Sequence, residues 1–314
     1  MLAFAYYLLK IIICSAVLFA YYWFFLRNKI YHAYNRFYLL AIVLISLAFP
    51  LVSINIFHEN ATKTTVVKML QVVNAGDEYI DGMIVNSPAK FAFGISEITL
   101  FIYFIICTVF FIFLLQMLVS IFKLIKTNEK VKIENINFIN TDAAKGTPFS
   151  FFQFIFWNRQ IDVQSDAGNR IFKHELAHIQ ERHSWDKMFI NIILIIFWIN
   201  PIFWLIRKEL SMIHEFIADK NAVEDGDTAA FAAMILEATY PQRIPFLTNS
   251  FFYSPIKRRL MMLTKNKNPR MNYFSRLLVL PLLIIVFAAF TLKIVNNTNK
   301  KNFVEKFRDR KSVV

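Results

Sequence analysis

The stretch Lys173–His183, KHELAHIQERH, decides how the rest of this chain is read. On a helix, residues four apart stack one turn above each other, so His174 and His178 present their ring nitrogens to a single ion. Glu175 is turned about 100° around that helix, which frees it to touch a water rather than the metal. A catalytic zinc takes three protein ligands and keeps a fourth position open, so a third ligand has to lie downstream. The stretch MIHEFIAD, Met212–Asp219, supplies Glu215 for that place, and Asp219 one turn later can accept a hydrogen bond from a ligand imidazole's other ring N–H and fix its tautomer. Of the six histidines in the chain, His174, His178, His183 and His214 fall in or beside these two stretches. That concentration separates the pattern from a chance match on a solvated helix. His183 and His214 are expected next to the ligands, orienting them or stabilising the transition state.

Composition sets the surroundings of this site. With 314 residues, 57% hydrophobic, 18% charged and only six glycines, the chain is too apolar for an ordinary soluble domain and reads as a multi-pass membrane protein. Its net charge of +13 is not arranged as a nucleic-acid module; the basic residues flank apolar runs, as membrane anchoring requires. No direct nucleic-acid contact is expected. Cys14 and Cys107 both lie inside apolar runs and read as free thiols.

Four stretches are long enough to cross a hydrocarbon core that needs about 20 helical residues: Leu2–Leu26, Phe37–Phe57, Ile98–Phe122 and Tyr273–Leu292. The first has no small-x-small cleavage site before Arg27 and is read as a retained span, with Lys10 snorkelling or facing other helices. The loop Arg27–Arg36 carries Arg27, Lys29 and Arg36 without an acid and is assigned to the cytoplasm, which puts the N-terminus outside. Residues 58–97 hold three Lys against five Asp/Glu and fit the outer face, whereas Lys123, Lys126, Lys130 and Lys132 return the chain to the inside. The tail 293–314 has seven basic and two acidic residues, yet the count of crossings puts it outside. The organisation expected is 1–57 for two spans, 58–97 for an outer loop, 98–122 for the third span, 123–272 for a cytoplasmic domain, 273–292 for the fourth span and 293–314 for a basic tail.

Within the cytoplasmic part, VKIENINFIN and TPFSFFQFIFWN read as short strands, the second serving as core or as an edge for an extended substrate, and Asp227 as the cap of a further helix. A fifth apolar run, Met188–Ile206, needs separate treatment. If it crossed the bilayer once, Glu215 would be stranded across the lipid from His174 and His178. Nineteen residues are too few to cross twice, so the run must be a re-entrant or embedded helix bent near Asn200-Pro201, or a buried core helix. The fold class is therefore a mainly α integral membrane protein: four transmembrane helices plus a cytoplasmic α+β metallopeptidase domain.

HELAHIQERHSWDK, the run ending FWINPIFW, and HEFIADKNAV, in that order, together with TPFSFFQFIFWN and SPIKRRLMML, resemble the BlaR/MecR-type integral-membrane metallopeptidases, the antirepressor group of the gluzincins. The resemblance runs over roughly residues 2–292. It implies Zn2+ on His174, His178 and Glu215, with Glu175 as general base, in the bacterial cytoplasmic membrane with the active site inside. It also implies a cytoplasmic protein substrate such as a DNA-binding repressor; the lipid bilayer and a second copy of the chain complete the expected partners. The 22 residues after Leu292 hold no SxxK motif and leave no room for a penicillin-binding sensor, a departure from the family that allows another stimulus, partner or signalling step. Two other readings share the HExxH pattern: a housekeeping protease similar to the HtpX or CAAX prenyl protease group, and a non-catalytic transducer with a structural zinc.

Overall fold

The computed structural model describes residues 2–52, 54–58, 95–133, 136–141, 147–223, 228–229, 231–233, 253–265 and 276–296. Its contacts divide the chain into two units, one formed by 1–26, 41–102 and 270–314 and the other by 27–40 and 103–269. Among the described residues three helices are long and apolar enough to cross a membrane: Phe4–Leu26, His32–Leu51 and Glu97–Thr127.

In the first unit α1 (Leu2–Tyr21) continues into a π-helical turn, Tyr22–Leu26, while α2 (His32–Ala48), shared between the units, ends in a 3-10 turn at Phe49–Leu51 around Pro50. Lys10 is buried, with its ammonium 4.7 Å from the Tyr6 ring, so it faces protein rather than reaching for water. The second span begins and ends earlier than Phe37–Phe57, because Pro50 stops the α-helix and β1 (Ile54–His58) follows. The last apolar helix, α8 (Val279–Thr291), has 13 residues and gives way to β6 (Leu292–Asn296). At 1.5 Å per residue α8 covers about 20 Å, short of a hydrocarbon core of about 30 Å. Among the described residues the stretch Tyr273–Leu292 therefore contains no helix of membrane-spanning length, and its residues 273–275 lie outside them. Strands β1 and β6 pair in parallel over five residues, so the chain leaves α2 and α8 in the same direction. Residues 59–94 and 297–314, the bulk of the expected outer loop and tail, lie outside the described residues, as does Asp227.

Besides residues 27–40, the second unit takes in the later part of α3 (Ile95–Thr127), which the two units share, and continues through β2 (Lys130–Ile133), β3 (Ile136–Thr141), β4 (Phe149–Phe151) and β5 (Phe154–Asn158). Each apolar stretch expected to be one strand turns back on itself, giving a four-stranded sheet in the order β2-β3-β5-β4. Side chains alternate across it. Ile139, Phe149, Phe151, Phe154 and Phe156 pack on Ile121, Leu124 and Ile125 at the end of α3. Phe138, Ile155 and Trp157 pack on the opposite side against Ile171, Phe172 and Ile179 of α4 (Asp166–Gln180). Four phenylalanines of FSFFQFIF are therefore core.

Helix α4 starts at Ser165, whose hydroxyl accepts from Gly168 N at 3.1 Å. It ends where Arg182 adopts a left-handed conformation, φ 57°, and the chain turns into α5 (His183–Ile196). The apolar run then breaks at 197–200, and α6 (Pro201–Ala222) begins with Asn200 as its cap, Oδ1 accepting from Ile202 N at 2.9 Å, and Pro201 in the first turn. His214, late in α6, meets Asp186, early in α5, so the two helices form an antiparallel hairpin whose tip lies at 197–200. Exposed Ile192, Ile196, Ile199, Trp204 and Leu205 give that tip an apolar surface. The fifth apolar run therefore reverses at 197–200, next to Asn200-Pro201, which both the embedded and the core-helix readings require.

Gly168 tests the α4 start, because an added Cβ would sit 2.0 Å from the Asp162 carbonyl oxygen. Gly168→Ala is expected to lower stability by about 1–3 kcal/mol, read as a shift of the thermal or denaturant midpoint in detergent.

Candidate metal centre

Helix α4 carries His174 and His178 on one face, and α6, packed against it, brings Glu215 to both. His174 Nε2 lies 3.6 Å from Glu215 Oε2, and His178 Nε2 lies 3.6 Å from Glu215 Oε1. These are too long for hydrogen bonds, but two ligands about 2.05 Å from one tetrahedral zinc stand about 3.3 Å apart. The three donors lie within 4.8 Å of one another, a grouping among the described residues that could hold a metal ion. An imidazole, imidazole and carboxylate set of this spacing fits zinc.

Asp219 stands behind His174, with Oδ1 3.2 Å from Nδ1 in an off-axis contact. That is the orienting place expected for it. Asp219 is itself gripped by Arg259 of α7 (Tyr253–Thr264), at 2.8 Å from Nε and 2.5 Å from Nη2, and Arg259 Nη1 also reaches Glu215 at 3.2 Å. One guanidinium from a distant helix therefore holds both carboxylates.

A second layer fixes His178. Its Nδ1 lies 2.7 Å from Nδ1 of His183, so with Nε2 turned to a metal the proton sits on His178 Nδ1 and His183 accepts it. The His183 ring stacks on His214 at 4.1 Å, and His214 Nε2 meets Asp186 Oδ2 at 2.9 Å. Asp186 accepts from Arg36 Nε at 2.6 Å, and Arg36 Nη2 donates to the Glu181 carbonyl at 2.7 Å. His183 and His214 thus stand behind a ligand and not at the metal position. Nearby, Glu209 of α6 accepts from Arg27 at 3.1 Å and from both arms of Arg258 at 3.0 and 2.9 Å. Arg27 and Arg36, counted in the sequence only as cytoplasmic charges, are tied into the peptidase unit.

Burial and these partners set the charges. Burial opposes protonation of His174, but Asp219 and Glu215 outweigh it and raise its pKa to about 9. Burial lowers His178 to about 3, and it depresses His183 as well, assisted by His214 and His178. Glu215 is pulled to about 2, since His174, His178 and Arg259 overcome its burial. Glu175 is raised by burial, against the opposing pull of His174 and of a hydrogen bond from Ser150 on β4. Ser150, Arg36, Asp186 and Arg259 were not legible as site residues. Only the KRR run of the SPIKRRLMML stretch pointed to the last of them, without a role.

Residues 158–263 match the family described as BlaR1 peptidase M56. The matched segment carries all three candidate ligand residues, Glu175 and Arg259, and supports the resemblance to the BlaR/MecR-type metallopeptidases. Among curated proteins none matches the chain. The family and the apolar helices near the N-terminus fit a membrane-associated metallopeptidase.

Two outcomes follow from the charges and contacts. At pH 7 the metal-free site holds His174 protonated and His178 neutral, so zinc must displace the His174 proton. About one proton should be released per zinc bound, and affinity should rise about tenfold per pH unit between pH 6 and 8, levelling off above about 9, measured by competition titration in two buffers. His183→Ala should weaken zinc binding about 10–100-fold, because His178 loses the group that fixes its tautomer, as read by chelator competition.

Proposed function

We propose that this chain is a membrane-embedded zinc metalloendopeptidase that cleaves a cytoplasmic protein, in transmembrane signalling or regulated proteolysis of a transcriptional repressor. The observation that carries the reading is the convergence of His174, His178 and Glu215 beside Glu175 inside the M56 segment. Zinc held by those three residues would supply Lewis acidity, acidifying water and polarising a peptide carbonyl.

Glu175 adjoins the ligand His174, and burial raises its carboxyl, which brings its proton affinity nearer to that of the groups it must serve. It takes the proton of the attacking water and returns it to the leaving amine. Asp219 and His183 hold the two ligand rings in place, and Arg259 balances the charge of the two carboxylates.

Strand β4 is the terminal strand of its sheet, and Ser150 on it acts on the Glu175 carboxyl, which supports a free strand edge near the general base. A substrate segment would add to it as an extended strand, its backbone held by main-chain hydrogen bonds. For the membrane arrangement, the antiparallel α5–α6 hairpin supports keeping both ligand helices on one face. The parallel β1–β6 pair supports placing the tail on the same outer side as the loop after α2.

Glu175→Gln is expected to keep one zinc per chain and to lose at least 10³-fold in peptide cleavage. Fragment patterns in cells carrying the parent or the variant would identify the substrate as the protein cut only by the parent. Equal cleavage by purified Glu175→Gln would overturn the mechanism.

A further inference from the structure

A cavity of about 240 Å³ lies between α3 and the α5–α6 hairpin, lined by Phe110, Phe113, Leu114, Leu194, Trp204 and, at one end, Asn191 and Arg207. Three features give it a direction. The α3 wall is a stripe at i, i+3, i+4 and i+7, completed by Met117, and all of it is apolar. Deeper along the hairpin the lining is Leu194, Ile195 and Trp204. At the mouth, where the hairpin returns, Asn191 on α5 comes level with Arg207 on α6.

Both mouth residues have spare capacity. The Arg207 guanidinium lies 5.7 Å from the Trp204 ring centroid and forms no ion pair among the described residues. The Asn191 side chain forms no hydrogen bond among them. Arg207 is exposed and Asn191 half-buried, so an amide and a guanidinium stand accessible to a polar headgroup beside an apolar slot.

We propose that this slot binds one anionic phospholipid, with an acyl chain between α3 and the hairpin, its ester region on Asn191 and its phosphate on Arg207. The proposal rests on the membrane reading and is independent of peptidase activity. A transmembrane helix is a poorer occupant. Close helix approach in lipid needs small residues at the contact, and Phe110, Phe113, Leu114 and Met117 offer none, whereas a flexible chain follows bulky walls. Charge favours an anionic headgroup over a zwitterionic one. The site also lies near the chemistry, because Lys187, one turn before Asn191 on α5, acts electrostatically on Glu175 and His178.

The test uses the full chain in detergent, with phosphatidylglycerol and phosphatidylcholine as the probes, read by native mass spectrometry. One phosphatidylglycerol should stay bound per chain, with at least tenfold weaker retention of phosphatidylcholine. Arg207→Gln should lose that preference, Arg207→Lys should restore most of it, and Leu194→Trp, which fills the slot, should lose both lipids. Zinc content near one per chain in each variant shows that the unit is folded. Equal retention of both lipids by the parent, unchanged retention in Leu194→Trp, or a mass shift equal to a second chain or to a co-purifying peptide in place of lipid would overturn the proposal. Release of the chain from membranes by alkaline carbonate would instead remove the membrane reading beneath it.

Discussion

Glu215 has to come within reach of two imidazoles on another helix, and the greasiest part of the domain lies between them in sequence. That requirement organises the second unit. A straight helix through Met188–Ile206 would carry Glu215 away from His174 and His178, so the chain must reverse. Asn200 and Pro201 are the means: proline cannot continue the hydrogen-bond ladder of α5, yet it suits the first turn of α6, and the Asn200 side chain caps the new N-terminus. Reversal leaves an apolar hairpin tip with Ile196, Ile199 and Leu205 exposed, a surface that water would penalise and lipid would not. The metal geometry and the membrane association are in this sense one constraint. The reversal brings both candidate ligand helices together and leaves the apolar surface at the hairpin tip.

Holding the ligands there takes more buried charge than the three donors themselves. Asp219, Asp186 and Glu209 are each nearly buried, and each is matched by an arginine: Arg259, Arg36, and Arg27 with Arg258. Buried ion pairs rarely stabilise a fold relative to apolar packing, since desolvating both charges offsets much of their attraction. Their value here is positional. A guanidinium bonded to two groups at once fixes the separation of the elements that carry them. Arg36 spans the Glu181 carbonyl, where α4 ends, and Asp186, where α5 begins, so it clamps the left-handed Arg182 turn between them.

The parts of the site legible in the sequence were those whose logic is local. An i, i+4 histidine pair with an intervening glutamate is a statement about one helix face, and Glu215 with Asp219 is another, so four residues could be placed without knowing how the helices meet. The hairpin was legible for a different reason: only a reversal satisfies the ligand count. What stayed hidden depends on long-range pairing. Arg36 and Arg259 look like ordinary basic residues flanking membrane segments, and nothing in their neighbours announces a buried carboxylate far away in sequence. The strands were undercounted because a run rich in Phe and Ile does not mark its own turns; Phe152, at φ 50°, bends without a glycine to signal it. The second span was overextended because Pro50 was submerged in apolar residues.

The histidine layer shows how much of a metal site can lie beyond its ligands. His178 and His174 start from the same helix face but are held by opposite strategies. A carboxylate faces His174, which draws a proton onto it and raises its basicity; a neutral imidazole faces His178 and leaves it uncharged. Two carboxylates behind both ligands would crowd negative charge around Glu215 and Glu175, both ionisable and both buried. Two imidazoles would leave the ion with little compensation. The mixed arrangement, with Arg259 as counter-charge on the carboxylate side and the Asp186–Arg36 pair set one ring further back on the other, keeps the ligand charge moderate while every ring is fixed. It also makes the site depend on residues 27–36, which lie outside the M56 segment, so the geometry of the second ligand is continuous with the turn between the first two helices.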